Sequence, residues 1–342
     1  VPYVPGEQPA GDKIVKLNTN ENPYPPAPGV KKVLEEMEAD RLRKYPDPTA
    51  SILVKELASY YGLNEDQVFV GVGSDDVLAM SFLTFFNSDK PVLFPDVTYS
   101  FYKVWADLFK VPFETPVLKE DFTIDVKDYE KENGGVIFPN PNAPTGVYMP
   151  LDQVEEILKA NQDVVVIVDE AYVDFAGPSA LELLDKYENL LVVQTFSKSR
   201  SMAGMRIGFA MGHPDLIRAL NDVKYSYNSY TMNLPSLLAG VEAVKDKEYF
   251  EKTIEKIVAT REHAKKRLTE LGFTFPNSQS NFIFASHKSV PAEKIFEALK
   301  KEQIYVRYFK TPGLDNSLRI SIGTDEEMDT LFRFLEAYLP NA

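Results

Sequence analysis
The chain has 342 residues, 44% of them hydrophobic and 12% aromatic, which is enough apolar material for a large core and excludes a disordered or fibrous chain. A formal net charge of -14 argues against nucleic acid or an anionic membrane surface as the main partner, so any local cluster of basic side chains is informative. Without a single cysteine, the chain has no disulfide, thiolate zinc site or cysteine nucleophile.

Residues 1–28 are rich in proline and predict an extended arm rather than a packed element, with Tyr3, Asn20, Asn22 and Tyr24 as its chemically interesting members. Amphipathic helices are expected over 30–39 and 51–61, separated by Tyr45-Pro-Asp-Pro48, with Thr49 or Ser51 as the cap of the second. From Gln67 onward, short apolar runs at 68–70, 91–94, 136–138, 164–168 and 190–194 alternate with helix-like stretches. That alternation implies a three-layer α/β unit, a mostly parallel sheet with helices on both faces. One strand has to differ. Only nine residues separate Phe196 from Arg206, too few for a parallel crossover, so 206–211 is predicted to run antiparallel to its predecessor. Beyond Asp222, helices at 233–244, 248–271, 292–302 and 326–338 and strand-like runs at 273–275, 281–285, 305–308 and 318–322 suggest a smaller α+β domain. The expected organisation is an arm over 1–28, a large domain over 29–245 and a small one over 246–342. No apolar run approaches the length of a membrane span and the N-terminus lacks a leader pattern, so a cytoplasmic enzyme is the default expectation.

Polar residues gather where the apolar strands stop. Gly73-Ser74-Asp75, Tyr99, Asn140 to Thr145, Asp169 with Tyr172, and Ser197-Lys198 each follow the C-terminal end of a predicted strand, the rim where open α/β sheets bind ligands. Taken singly, these are ordinary helix caps, loops and solvated strand ends. Together they describe a site. Lys198, flanked by hydroxyls and followed eight residues later by Arg206, suits a cofactor with an aldehyde and a phosphate: the amine can form a Schiff base, and the hydroxyls and guanidinium can hold a dianion. Asp169 follows five apolar residues, so its carboxylate should be buried and in need of a cation, which a protonated pyridine nitrogen would supply. A helix start at Gly73-Ser74-Asp75 offers N–H groups to a phosphate, without being a P-loop or a dinucleotide fingerprint. Tyr99 suits the flat face of a ring, and Tyr172 a hydrogen bond to a phenolate oxygen. His213, His263 and His287 have no metal-ligand spacing, and no metal site is expected.

Asp169-Glu-Ala-Tyr172, Ser197-Lys198 with Arg206, Pro141-Asn-Ala-Pro-Thr-Gly146 and Ser317-Leu-Arg-Ile-Ser-Ile-Gly-Thr324 together resemble the fold-type-I pyridoxal-phosphate-dependent aminotransferases. Leu17-Asn-Thr-Asn-Glu-Asn-Pro23, Arg43-Lys-Tyr-Pro46, Tyr227-Asn228, Ser280-Asn-Phe282 and Val306-Arg307 narrow the likeness to the histidinol-phosphate aminotransferase family. The resemblance spans nearly the whole chain in the right order. It implies pyridoxal 5'-phosphate as cofactor, Lys198 as the Schiff-base lysine, Asp169 at the ring nitrogen, Tyr172 at the ring hydroxyl and Tyr99 stacked on the ring. Phosphate would be held by the Ser74 and Asp75 backbone, Ser197 and Arg206, with Tyr45 reaching in from the other subunit of a homodimer and the arm joining the small domain to that subunit. Arg319 would bind the substrate carboxylate, Arg307 the substrate phosphate, Tyr3 would lie near the imidazole and Asn281 in the same pocket.

The sequence departs from the family pattern at Ala143, where an asparagine usually meets the ring oxygen. Either the loop shifts so that Asn142 serves, or Tyr172 serves alone. The implied reaction is transamination of L-histidinol phosphate with 2-oxoglutarate in histidine biosynthesis. Within the superfamily the alternatives are an aromatic amino acid aminotransferase and an O-phosphothreonine decarboxylase. A non-enzymatic binding protein of this fold would have lost at least one of Lys198, Asp169 and Arg206, and all three are present. A nicotinamide dehydrogenase would need the dinucleotide glycine pattern, which is missing.

Overall fold
Two sheets carry the chain in the computed structural model, which describes residues 6–11 and 14–342. The strands are β1 (Val15–Leu17), β2 (Val68–Gly71), β3 (Val92–Leu93), β4 (Phe113–Glu114), β5 (Gly135–Pro139), β6 (Val166–Asp169), β7 (Leu190–Thr195), β8 (Gly208–Gly212), β9 (Phe273–Thr274), β10 (Phe282–His287), β11 (Ile304–Tyr308) and β12 (Leu318–Ser321). The helices are α1 (Pro28–Glu36), α2 (Ser51–Tyr61), α3 (Ser74–Phe85), α4 (Phe101–Phe109), α5 (Leu151–Ala160), α6 (Pro214–Tyr227), α7 (Leu234–Lys245), α8 (Lys247–Glu270), α9 (Ala292–Lys301) and α10 (Asp325–Tyr338).

The larger sheet has the order β2-β8-β7-β6-β5-β3-β4. Every residue of β5, β6 and β7 is buried, because these parallel strands are covered on both faces, which is why they read as apolar runs up to their last residues. As the short connection requires, β8 is antiparallel to β7, with Gln194 opposite Phe209, and it also pairs antiparallel with β2. Two elements lie outside the sequence expectation. Strand β4 is two residues long and only half-buried, too short for a hydrophobic period to register. Helix α6, which begins with Pro214 in its first turn, buries Ile217, Leu220 and Lys224.

The smaller sheet runs β1-β11-β12-β10-β9. Part of the arm, expected to be extended and unpacked, is instead edge strand β1, parallel to β11 with Leu17 opposite Val306. Its apolar residues Val15 and Leu17 pack on the core beneath that sheet, which accounts for the difference. The cap of α2 also differs from expectation. Ala50 occupies the cap position in a left-handed conformation, and Asp47 accepts hydrogen bonds from the Thr49 and Ser51 amides at 2.9 and 2.8 Å. Among the described residues, no helix is long and apolar enough to cross a membrane.

Candidate active site
The parallel strands are apolar until their last residues, so the polar residues at and just after their ends gather at one rim. There, a cavity of about 250 Å³ is lined by Ser74, Asp75, Tyr99, Asp169, Tyr172, Ser197, Lys198, Arg206 and Arg319, with Thr19, Glu21 and Ala143 in its wall. A larger open groove of about 630 Å³, beside Phe122, Tyr148 and Asn277, contains none of the residues predicted to carry chemistry.

Asp169 ends β6 and is 4% exposed. Its carboxylate accepts from the Tyr102 hydroxyl at 2.8 Å and from the Ala171 amide at 3.3 Å. Both donors are neutral. Burial pushes the carboxyl up to about 6, against the lowering effect of those two hydrogen bonds. A cation at the cavity side of Asp169 would offset that burial cost, and this is the character of a protonated ring nitrogen. Lys198 lies beyond the end of β7 with Nζ donating to the Thr19 carbonyl at 3.2 Å and lying 5.8 Å from the centre of the Tyr172 ring. The Tyr172 oxygen accepts from Asn20 Nδ2 at 3.0 Å.

An anion cradle lies beside the lysine. Arg206, in the left-handed region at φ 53°, points Nη1 to Ser197 Oγ at 3.5 Å and Nη2 to Asp75 Oδ2 at 3.4 Å. The Tyr99 hydroxyl donates to the other Asp75 oxygen at 2.8 Å. Helix α3 starts at this point, so its first amides have no partner within the helix and carry the positive end of its dipole. Two glycines make this packing possible. Gly73 has φ 96°, and a Cβ there would lie 2.5 Å from Arg206 Nη2; one on Gly208 would lie 2.2 Å from the Ser74 amide nitrogen. A helix N-terminus, a guanidinium and a hydroxyl fit a phosphate dianion, as the buried carboxylate fits a ring N–H. The residues present therefore suit pyridoxal 5'-phosphate.

Other predicted residues lie elsewhere. Asn142 is absent from the cavity wall: its side chain donates to the Val97 carbonyl at 2.9 Å and accepts from Thr98, while Ala143 faces the cavity. The loop has not shifted to bring Asn142 in, because its amide is spent on Val97 and Thr98 after β3 and on Thr145 of its own loop. Asn281 is fully buried one step behind the site, donating to the Asn20 carbonyl at 2.9 Å. Arg307 stands opposite Arg319 across β11 and β12, and both guanidiniums lie over the Phe309 ring, at 5.5 and 5.6 Å from its centre. Tyr45 is 83% exposed and packs on Tyr230 with ring centres 4.7 Å apart, outside the cavity of its own chain. Tyr3 lies outside the described residues. Sequence reasoning assigned no role to Tyr102 or to the arm residues Asn18, Thr19 and Asn20. Asn18 and Thr19 act through main-chain carbonyls, which no side-chain pattern reveals.

Residues 12–335 match the family described as aminotransferase class I and II. A curated relative named histidinol-phosphate aminotransferase, from Brachyspira hyodysenteriae, is 52% identical over 99% of this chain and 96% of its own length. One of the same name from Clostridium acetobutylicum is 54% identical over 96% of this chain and 93% of its own. A solved structure of histidinol-phosphate aminotransferase from Sinorhizobium meliloti in complex with pyridoxal-5'-phosphate superposes with a TM-score of 0.85 at 25% identity, covering 95% of this chain and 89% of that one.

Proposed function
The chain belongs to the class I and II aminotransferase family, and from that premise we propose that it transfers the amino group between L-histidinol phosphate and 2-oxoglutarate in histidine biosynthesis. We take its cofactor as pyridoxal 5'-phosphate, its state as a cytoplasmic homodimer, and its division as a cofactor-binding domain over 29–245 with a small domain over 246–342. What supports the reading is that Lys198, Asp169 and Arg206 line one cavity in a chain so similar to relatives of that name.

In this reading Asp169 takes the ring nitrogen, Tyr172 the ring oxygen and Tyr99 the ring face, while Ser197, Arg206 and the first amides of α3 take the phosphate. When bound, the cofactor supplies an aldehyde that condenses with primary amines and a ring that accepts the electron pair left at the substrate Cα. Lys198 Nζ is the group that would take the proton from that Cα and deliver it to the former aldehyde carbon of the cofactor, one positioned amine acting as base and then acid. Asp169 holds a proton on the ring nitrogen, because a cation there stabilises the carboxylate that burial otherwise disfavours. Arg319 binds the carboxylate of glutamate in one half-reaction, and Arg307 the phosphate of histidinol phosphate in the other. Thr19 and Glu21 wall the cavity from the arm side, where the Thr19 carbonyl holds the amine. Exposed Leu42, Tyr45, Tyr225, Tyr227 and Tyr230 supply the apolar surface of a subunit interface through which Tyr45 meets the partner's site.

The test is spectroscopic. Purified protein given pyridoxal 5'-phosphate should show a visible absorption band that borohydride abolishes, with the label mapped to Lys198. Lys198→Ala should lose the band and at least about a hundredfold in turnover. Label on a different lysine would sink the site assignment. Release of carbon dioxide from O-phosphothreonine, or faster turnover of phenylalanine than of histidinol phosphate, would sink the substrate assignment.

A further inference from the structure
Three consecutive arm residues hold three side chains of the cavity. The Asn18 carbonyl accepts from Arg319 Nη2 at 3.0 Å, the Thr19 carbonyl accepts from Lys198 Nζ at 3.2 Å, and Asn20 Nδ2 donates to the Tyr172 oxygen at 3.0 Å. Asn20 is the most constrained of them. It is 1% exposed and sits at φ 57°, a conformation asparagine tolerates better than most residues. Its backbone N–H donates to Ser321 Oγ at 2.9 Å, which leaves the serine proton to donate to Asn20 Oδ1 at 3.0 Å. Asn281 Nδ2 donates to the Asn20 carbonyl at 2.9 Å. These bonds decide which end of the amide faces Tyr172. With Oδ1 committed to Ser321, the NH₂ group is directed at the tyrosine, whose oxygen must accept. The tyrosine's own proton is then turned away from Asn20, toward the cavity that Tyr172 lines. Ala143 in the same wall has no side-chain donor.

We propose that Asn20 is a positioning residue for transamination: oriented by Ser321, its amide directs the Tyr172 hydroxyl proton into the cavity, onto the ring oxygen of the bound cofactor. The inference rests on reading the cavity as a pyridoxal 5'-phosphate site. A donor lost from that oxygen makes it more basic, so the visible band of the loaded protein should hold its protonated form to higher pH. Asn20→Gly keeps the left-handed backbone and removes the amide. It should raise the titration midpoint of the band by about half to one pH unit, the worth of one neutral hydrogen bond. It should also lower kcat about tenfold while KM for the amino donor stays within about twofold. Ser321→Ala, which leaves Asn20 in place but frees its amide to turn over, should give a smaller rise in the same direction, and it carries the test if Asn20→Gly folds poorly. In a Tyr172→Phe background, neither change should move the midpoint further. A midpoint unchanged by either substitution, or a rise that persists without the tyrosine hydroxyl, overturns the proposal. A parent protein with no visible band would overturn the cofactor reading itself.

Discussion
Asp169 shows how one residue's surroundings set its chemistry. Its carboxyl is raised to about 6 by burial, which outweighs the hydrogen bonds from Tyr102 and Ala171 and the charge of Lys198, and Glu170 is raised to about 7 by burial as well, accepting from Ser179, the Ala180 amide and Gln194. A carboxyl whose folded-state value lies above its unfolded one binds its proton more tightly when folded. Its contribution to stability is therefore complete below about pH 4 and is lost as pH rises through its folded value. For Asp169 that window runs from about pH 4 to about 6. In cofactor-free protein, Asp169→Asn should remove this dependence. Urea denaturation should show the variant gaining on the parent by an amount on the order of 3 kcal/mol between pH 4 and pH 7. A difference that is flat with pH would mean that burial does not dominate the Asp169 carboxyl.

Among the elements, the start of α3 depends on its neighbour β8. Gly208 lies so close to the Gly73–Ser74 peptide that any Cβ would meet it at 2.2–2.3 Å, and the displaced atoms are backbone, which cannot rotate away. Gly208→Ala should destabilise the fold by about 1–3 kcal/mol and push the α3 amides out of line with Arg206. Denaturation and cofactor titration should both report it, the latter as at least a tenfold loss of affinity. Gly204→Ala, on the same connection but with nothing within 4 Å of its Cβ, should match the parent in both. If the two variants behave alike, the close approach is not what builds the cradle. The cap of α2 teaches a related point: Thr49 and Ser51 were the expected hydroxyl caps, yet both donate to Asp47, since a carboxylate preceding the helix can serve two amides and two hydroxyls at once.

At the scale of the whole molecule, the proposed homodimer makes each site a shared one, because Tyr45 is exposed and does not line its own cavity. Subunits carrying Lys198→Ala and subunits carrying Tyr45→Ala should each form impaired homodimers. Co-assembled, they should recover activity, since a mixed dimer has one site with its own Lys198 and the partner's intact tyrosine. Sedimentation of the mixture together with its turnover checks this. Mixed dimers no more active than the average of the two homodimers would place Tyr45 outside the partner's chemistry.

Much of this was readable from the chain alone. Asp169 and Lys198 could be placed at the rim because a strand buried on both faces is apolar over most of its length, so the polar residues at and just after its end mark where the sheet stops. The antiparallel β8 followed from the length of its connection. Tertiary structure alone decided what those residues touch. Tyr102 reaches Asp169 across 67 positions, the Thr19 carbonyl meets Lys198 across 179, and Asn20 joins Tyr172 and Ser321 across 152 and 301. Asn142, adjacent to the site in sequence, turns away from it, while an arm that reads as extended and unpacked supplies part of its wall. The reason is physical: burial patterns are local and periodic, whereas a hydrogen bond between distant segments, often to a main-chain carbonyl that every residue possesses, leaves no period to read.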